Sequence, residues 1–293
     1  MTPDFFQTYL SRIQAYLNQV LPNPEPSLSP LIPAMRYSLL NGGKRLRALL
    51  VYATGVALDA DLNLCDIAAA SLEFIHAFSL IHDDLPAMDD DVLRRGVPTC
   101  HIAFDEATAI LAGDALHTEA FELISNQIPD PKLAIQIIQV LSKSIGKQGM
   151  VQGQTIDVMS ENKILDLKNL KQMHYLKTGC LIQASVHLGY LIAQKNNPDL
   201  LQALTQYSQA IGIAFQIKDD LLDATSSSQI LGKTAGLDLI NHKSTFVSLL
   251  GIDQAKMELN NMINLAIQAF NNFPELKSSY LINLANYIME REY

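Results

Sequence analysis

Tryptophan is absent from this 293-residue chain, cysteine occurs three times, and basic residues are outnumbered by acidic ones. The cysteines, Cys65, Cys100 and Cys180, are odd in number and far apart, with no C-x-x-C pair. That excludes a disulfide framework and a zinc site and fits free thiols in a reducing compartment. The formal net charge of -9 argues against nucleic acid or an anionic membrane surface as partner. Small anionic substrates stay open, because bound cations reverse the local sign. The start, Met1-Thr2-Pro3-Asp4, lacks the basic residues of a signal peptide. The apolar stretch 48–58 is too short to cross a bilayer. A soluble cytoplasmic protein with no membrane anchor is expected. There is no repeat period, no Pro- or Gly-rich linker and no low-complexity tail, and Ser226-Ser227-Ser228 reads as a short loop. Strand-like alternation is scarce.

What is present is apolar and helical. Hydrophobic residues make up 48% of the chain, enough for a large core. Thr2 before Pro3, Ser29 before Pro30, Asp130 before Pro131 and Asn197 before Pro198 each set a capping side chain ahead of a first-turn proline. Between them apolar residues recur at helical spacing, as in Ala210, Ile213, Ala214, Ile217 and Leu221. The expectation is one all-α domain over residues 1–293, with roughly ten or more helices at ordinary lengths. The helix predicted over 64–84 is apolar nearly all round, so it belongs in the middle of a bundle. Its exceptions are Glu73, His76 and His82, and polar groups there are costly unless paired or functional.

Two aspartate clusters close apolar helical runs. The first is Asp83-Asp84-Leu85-Pro86-Ala87-Met88-Asp89, followed by Asp90 and Asp91; the second is Asp219-Asp220-Leu221-Leu222-Asp223. A helix C-terminus carries partial negative charge, so carboxylates there are unfavourable without a cation. Two such clusters point to hard divalent metal ions. Asp219 and Asp223, four apart, share a helix face while Asp220 points aside. Pro86 interrupts the helix, so Asp89 can swing back toward Asp83. Taken alone, either cluster reads equally well as a solvated acidic helix end.

Basic residues gather around these clusters. Gly42-Gly43-Lys44-Arg45-Leu46-Arg47 sets a flexible turn before a helix. Arg94-Arg95-Gly96 follows the first cluster, Lys177-Thr178-Gly179 interrupts a helical region, and Lys233 and Lys243 bracket a loop after the second cluster. Lys and Arg beside metal-binding carboxylates suit phosphoryl groups.

The run from Leu80-Ile81-His82-Asp83-Asp84 through Asp89-Asp90-Asp91 to Leu93-Arg94-Arg95-Gly96 and Pro98-Thr99 resembles the first aspartate-rich motif of the trans-isoprenyl diphosphate synthases. The two extra residues between its aspartates resemble the bacterial-type farnesyl diphosphate synthases of that family. Residues 42–47, Gly153-Gln154-Thr155-Ile156-Asp157, Lys177-Thr178-Gly179, Phe215-Gln216-Ile217-Lys218-Asp219-Asp220 and Leu231-Gly232-Lys233-Thr234-Ala235-Gly236 fit as well, in family order. The resemblance implies a single all-α bundle of the isoprenoid synthase type with a central prenyl cavity. The implied reaction is head-to-tail prenyl transfer: an allylic diphosphate ionises, isopentenyl diphosphate attacks the cation, and a proton leaves.

By the same resemblance the metal ligands are Asp83, Asp84, Asp89, Asp219 and Asp223, with three magnesium ions per site. Lys44, Arg47, His76 and Arg95 would hold isopentenyl diphosphate. Arg94, Lys177, Lys233 and Lys243 would hold the allylic diphosphate. Thr178, Gln216 and the backbone near Lys177 would face the cation, with the released diphosphate taking the proton. A homodimer is expected, as is usual in the family. Phe78, five residues before Asp83, would close the floor of the prenyl tunnel, with Ser79 beside it leaving modest room. Geranyl- or geranylgeranyl-length products remain open, as does the reading of Phe78 as ordinary core. Three features depart from relatives: Leu237 replaces a frequent Lys, Phe78 a frequent Tyr, and the segment Met289-Glu290-Arg291-Glu292-Tyr293 is more acidic than usual.

Other readings fare worse. A di-iron bundle needs two E-x-x-H motifs, and only Glu73-Phe74-Ile75-His76 is present. Gly232-Lys233-Thr234 ends like a P-loop, yet Ser227 stands where the earlier glycine belongs. A terpene cyclase would not need Lys44, Arg47 and His76. A non-catalytic partner subunit would not keep all these ligands.

Overall fold

The structure, a computed structural model, describes residues 3–23, 29–160, 163–225 and 244–292. The predicted loop at 226–228, Leu237, Lys233 and Lys243 lie outside the described residues.

The first helices are α1 (Pro3–Val20), α2 (Leu31–Leu40), α3 (Leu46–Ala57) and α4 (Leu62–Asp83). A two-residue hairpin follows, β1 (Leu93–Arg94) against β2 (Val97–Pro98). Next come α5 (Cys100–Ala103), α6 (Glu106–Gln127), α7 (Pro131–Ile145), α8 (Met150–Met159) and α9 (Leu167–His174). A π-turn at Tyr175–Gly179 leads into α10 (Cys180–Ile192), and α11 (Pro198–Thr225) follows. The described chain ends with α12 (Phe246–Leu250), α13 (Ile252–Gln268) and α14 (Ser279–Glu290). The architecture is all-α.

Local chemistry sets these bounds. Asp130 accepts from the Lys132 amide at 3.0 Å with Pro131 in the first turn, and Asn197 accepts from the Leu200 amide at 3.0 Å ahead of Pro198. Ser29 also accepts a backbone amide, from Leu31 at 3.3 Å, but Pro30 is itself the cap residue and not the first helical one. Asp61 caps α4 through the Asn63 amide.

Helix α4 is the axis of the bundle. Ala68, Ala69, Ala70, Leu72, Phe74 and Ile75 are all fully buried, on every side of the helix. It packs against α3, α6 and α10. By length and composition α4 could cross a membrane, and most of it is buried inside the protein instead, as in a core helix. The buried Asp66 in this core is paired twice. Tyr52 donates to Asp66 at 2.6 Å, and Arg12 closes on the same carboxylate at 2.7 Å. All three cysteines are buried and free.

Candidate active site

Helix α4 stops where its side chains turn acidic. Pro86 cannot donate to the helix ladder, and the chain folds back so that the Asp89 amide donates to the Asp83 carbonyl at 2.9 Å. The return run forms the β1–β2 hairpin, whose two linking residues, Arg95 (φ 54°) and Gly96 (φ 79°), both have positive φ. That is the twist a two-residue hairpin turn requires. The turn carries Arg95 back across the 42–43 turn, where its guanidinium donates to the Gly42 carbonyl at 2.8 Å. Gly43 has φ 106°, and a Cβ there would meet the Arg95 guanidinium carbon at 2.6 Å. The positive φ favours glycine, and any side chain would also have to displace the Arg95 head group.

A cavity of about 1630 Å³ opens here, between α3, α4, α8, the π-turn, α11 and α14. Lys44, Arg47, His76, Arg95 and Arg94 line one part of it. Asp83, Lys177, Thr178, Gln216 and Asp219 line it too. Phe78 and Ser79 line it on the α4 side. The residues predicted for the two diphosphates and the cation thus share one cavity, apart from Lys233 and Lys243.

Three predicted metal ligands do not line that cavity. Asp84 is buried, lines a small neighbouring pocket, and accepts from Arg94 Nε through both oxygens, at 2.7 and 2.9 Å. Arg94 in turn is held by Asp84 and Asp91. Asp89 is joined to Asp83 through backbone. Asp223 is buried, with an Oδ1 that has no partner among the described residues. Asp220 points aside, as its spacing predicts: it accepts from the Phe246 amide at 2.6 Å and anchors the start of α12. Glu73, half of the E-x-x-H pair, is held by Arg45 at 2.8 Å in a buried ion pair and also accepts from the Ala48 amide at 3.4 Å.

The charges bear the mark of burial. Desolvation pushes the Asp83 carboxyl up to about 6, and nearby Asp89 adds to it against the pull of Lys177. Desolvation, aided by the Arg291 charge, brings Lys44 down to about 8. Arg47 is lowered by the same cause. His76 lies well below its ordinary value through desolvation and then the surrounding arginines, so it is neutral. Arg47 and His76 keep some surface toward the cavity while protein mass surrounds them. Lys177 differs: burial disfavours its charge, and Asp157, Asp83 and Asp89 together outweigh that and raise it. Its Nζ donates to Asp157 on α8 at 2.6 Å.

Phe78 is half-buried and held between two rings, His82 at 5.1 Å and His117 of α6 at 5.0 Å, both edge to face. Sequence reasoning missed Arg291. It follows α14, is buried, donates to Asp219 at 2.7 Å and the Phe215 carbonyl at 2.9 Å, and lies 4.1 Å above the Phe215 ring. Its one visible signal is a lone arginine amid acidic residues after an amphipathic helix.

Among the described residues no three of His, Cys, Asp and Glu converge as a ready cation cage. Magnesium does not demand one: it takes one or two carboxylates and completes its shell from phosphate oxygens and water. The donors present are carboxylates only, and the buried Asp223 Oδ1 lacks a partner among the described residues, so the set fits this metal.

The chain belongs to the Polyprenyl synthetase family, which it matches over residues 29–281. It is a prenyltransferase. It is 48% identical over 272 residues to the farnesyl diphosphate synthase of Haemophilus influenzae, covering 92% of each chain. A solved structure of a putative farnesyl-diphosphate synthase from Marinomonas sp. MED121 is 47% identical, with TM-score 0.83 and 98% of each chain covered. The geranyltransferase of Helicobacter pylori, solved with magnesium and isoprenyl diphosphate, is 34% identical, with TM-score 0.87 over 99% of this chain and 97% of that one.

Proposed function

We propose that the protein condenses isopentenyl diphosphate with dimethylallyl and geranyl diphosphate to form (2E,6E)-farnesyl diphosphate. One observation carries this reading: a single cavity is lined by carboxylates from two helices, Asp83 and Asp219, by a set of cations, and by an aromatic ring, Phe78. The chain acts as one domain over residues 1–293, in the cytoplasm, as a homodimer.

Asp83, Asp84, Asp89, Asp219 and Asp223 hold magnesium, three ions per site. Bound there, magnesium neutralises the departing diphosphate as a Lewis acid. Lys177 and Arg94, with Lys233 and Lys243 assigned on resemblance alone, bind the allylic diphosphate. Lys44, Arg47 and Arg95 bind isopentenyl diphosphate, and neutral His76 offers it a hydrogen bond. Thr178 and Gln216 present oxygen dipoles to the allylic cation. The apolar lining keeps water from trapping that cation.

Phe78 and Ser79 set product length. Each further isoprene unit would bury five carbons, about 4 kcal/mol, and a blocked floor withholds that gain. A geranylgeranyl-length product is the alternative, favoured by a cavity roomier than most ligand pockets. Incubation with isopentenyl diphosphate, each allylic starter and magnesium, read by mass spectrometry, tests the proposal. Fifteen-carbon product is expected, and absence of any coupled product defeats it.

A further inference from the structure

Arg291 occupies a position that the reaction cannot leave undisturbed. Its guanidinium sits on Asp219 Oδ1, and Asp83, Asp219 and Arg291 all line the one cavity. A divalent cation and a guanidinium on one carboxylate repel each other strongly at such range. The arginine is also incompletely satisfied. It is buried, and its Nε has no partner among the described residues. A buried donor left unpaired marks a conformation held against a cost. The backbone allows movement: α14 ends at Glu290, and Arg291 has already left helical geometry at φ -56°, ψ 144°.

We propose that Arg291 is a tethered counterion that occupies the metal position at Asp219 in the ligand-free enzyme, and that metal must displace it. The inference rests on the reading of Asp219 as a metal ligand. The guanidinium neutralises Asp219 and holds it aimed at the cavity. The cation that arrives takes over that oxygen, and the residues after α14 leave the Phe215 ring and carbonyl. Metal occupancy and the position of the C-terminal end of α14 are then linked: each changes the other by the same factor.

The probe is Mn2+ alone, titrated by electron paramagnetic resonance at fixed ionic strength, with no substrate present. Removing the competitor in Arg291→Gln should tighten Mn2+ binding about three- to tenfold, a modest range because Asp219 is partly solvated and screened. Arg291→Lys, which keeps a flexible charge, should fall between that variant and the native protein. In an Asp219→Asn background the Arg291→Gln gain should vanish. Equal or weaker Mn2+ binding by Arg291→Gln, in protein melting within a few degrees of native, overturns the inference while leaving Asp219 as a ligand if Asp219→Asn loses affinity. If Asp219→Asn binds Mn2+ as well as native, the metal role of Asp219 fails and the inference falls with it. As a second readout, amide exchange over residues 284–292 should quicken on Mn2+ loading; unchanged exchange counts against displacement.

Discussion

Replacing Gly153 with alanine puts a methyl group where the site has no room. Gly153 lies in α8, pressed against the π-turn. A Cβ there would stand 2.1 Å from the Lys177 amide nitrogen, 2.5 Å from its Cα and 2.7 Å from the Leu176 carbonyl carbon. Ordinary contact is about 3.5–4 Å, and all three obstacles are backbone, which no rotamer change can clear. Helix α8 and the π-turn must therefore separate by about 1 Å or more. The Lys177–Asp157 bond, 2.6 Å, bridges these same two elements and loses its geometry. Overpacking of this kind costs about 1–3 kcal/mol, which lowers the melting temperature by roughly 2–10 °C in a chain of this size. Displacing Lys177 by about 1 Å should lower kcat ~100-fold. Lys44 and Arg47 sit on the glycine turn and α3, away from the strain, so KM for isopentenyl diphosphate should stay near native. Steady-state kinetics on folded Gly153→Ala, with calorimetry beside it, provides the check. Native kcat would refute the argument, and so would a rise in that KM matching the fall in kcat.

Phe78→Ala should shift product from fifteen carbons to twenty or more, read by mass spectrometry; unchanged length removes Phe78 as the floor. Lys44, with its value near 8, should make kcat/KM for isopentenyl diphosphate fall as pH rises through 8, because that ratio reports the free enzyme. A profile flat from pH 7 to 9 contradicts this. The sign for stability is opposite: the lowered lysine binds fewer protons folded than unfolded, so its contribution to ligand-free stability grows from pH about 8 toward 10.5. Glu73→Gln leaves Arg45 buried without its counterion and should cost about 3–5 kcal/mol in denaturant unfolding. A cost under 1 kcal/mol would show that Glu73 and Arg45 are not interdependent.

The parts of this site that spacing encodes are the parts the sequence reveals. The helix ending at Asp83, the chain break at Pro86 and the glycine turn at 42–43 are local events, set by residues within a few positions of one another. The buried helix predicted over 64–84 is α4, Leu62–Asp83, because an apolar surface all round has one solution. Pairings across the fold are different. Arg94 follows the first cluster closely, yet nothing in its spacing says that Asp84 would take its Nε through both oxygens. Arg291 reaches Asp219 across 72 positions, and an isolated arginine has no periodicity to betray it. The π-turn escaped notice as such, because it keeps helical composition while changing only the hydrogen-bond register.

The two walls of the cavity are strained in opposite senses. Burial pushes the Asp83 carboxyl up to about 6, toward its neutral form. Burial also lowers Lys44, Arg47 and Arg95, again toward the neutral form, and the cations worsen this by facing one another. A fold selected only for stability would mix these charges into pairs, as it does at Asp66 with Arg12 and at Glu73 with Arg45. Here Asp84 is paired with Arg94 and Asp219 with Arg291, while the desolvated Asp83, Lys44, Arg47 and Arg95 line one cavity. No single simple ion relieves both walls: a cation eases the first and an anion the second. A metal diphosphate would offer both signs in one object. Lys177 marks the seam. It faces the cavity from the π-turn, yet three aspartates hold its charge in place. It therefore stays an ammonium group within the cavity. Desolvation of these charges costs stability without ligand, and ligand binding returns it by mass action.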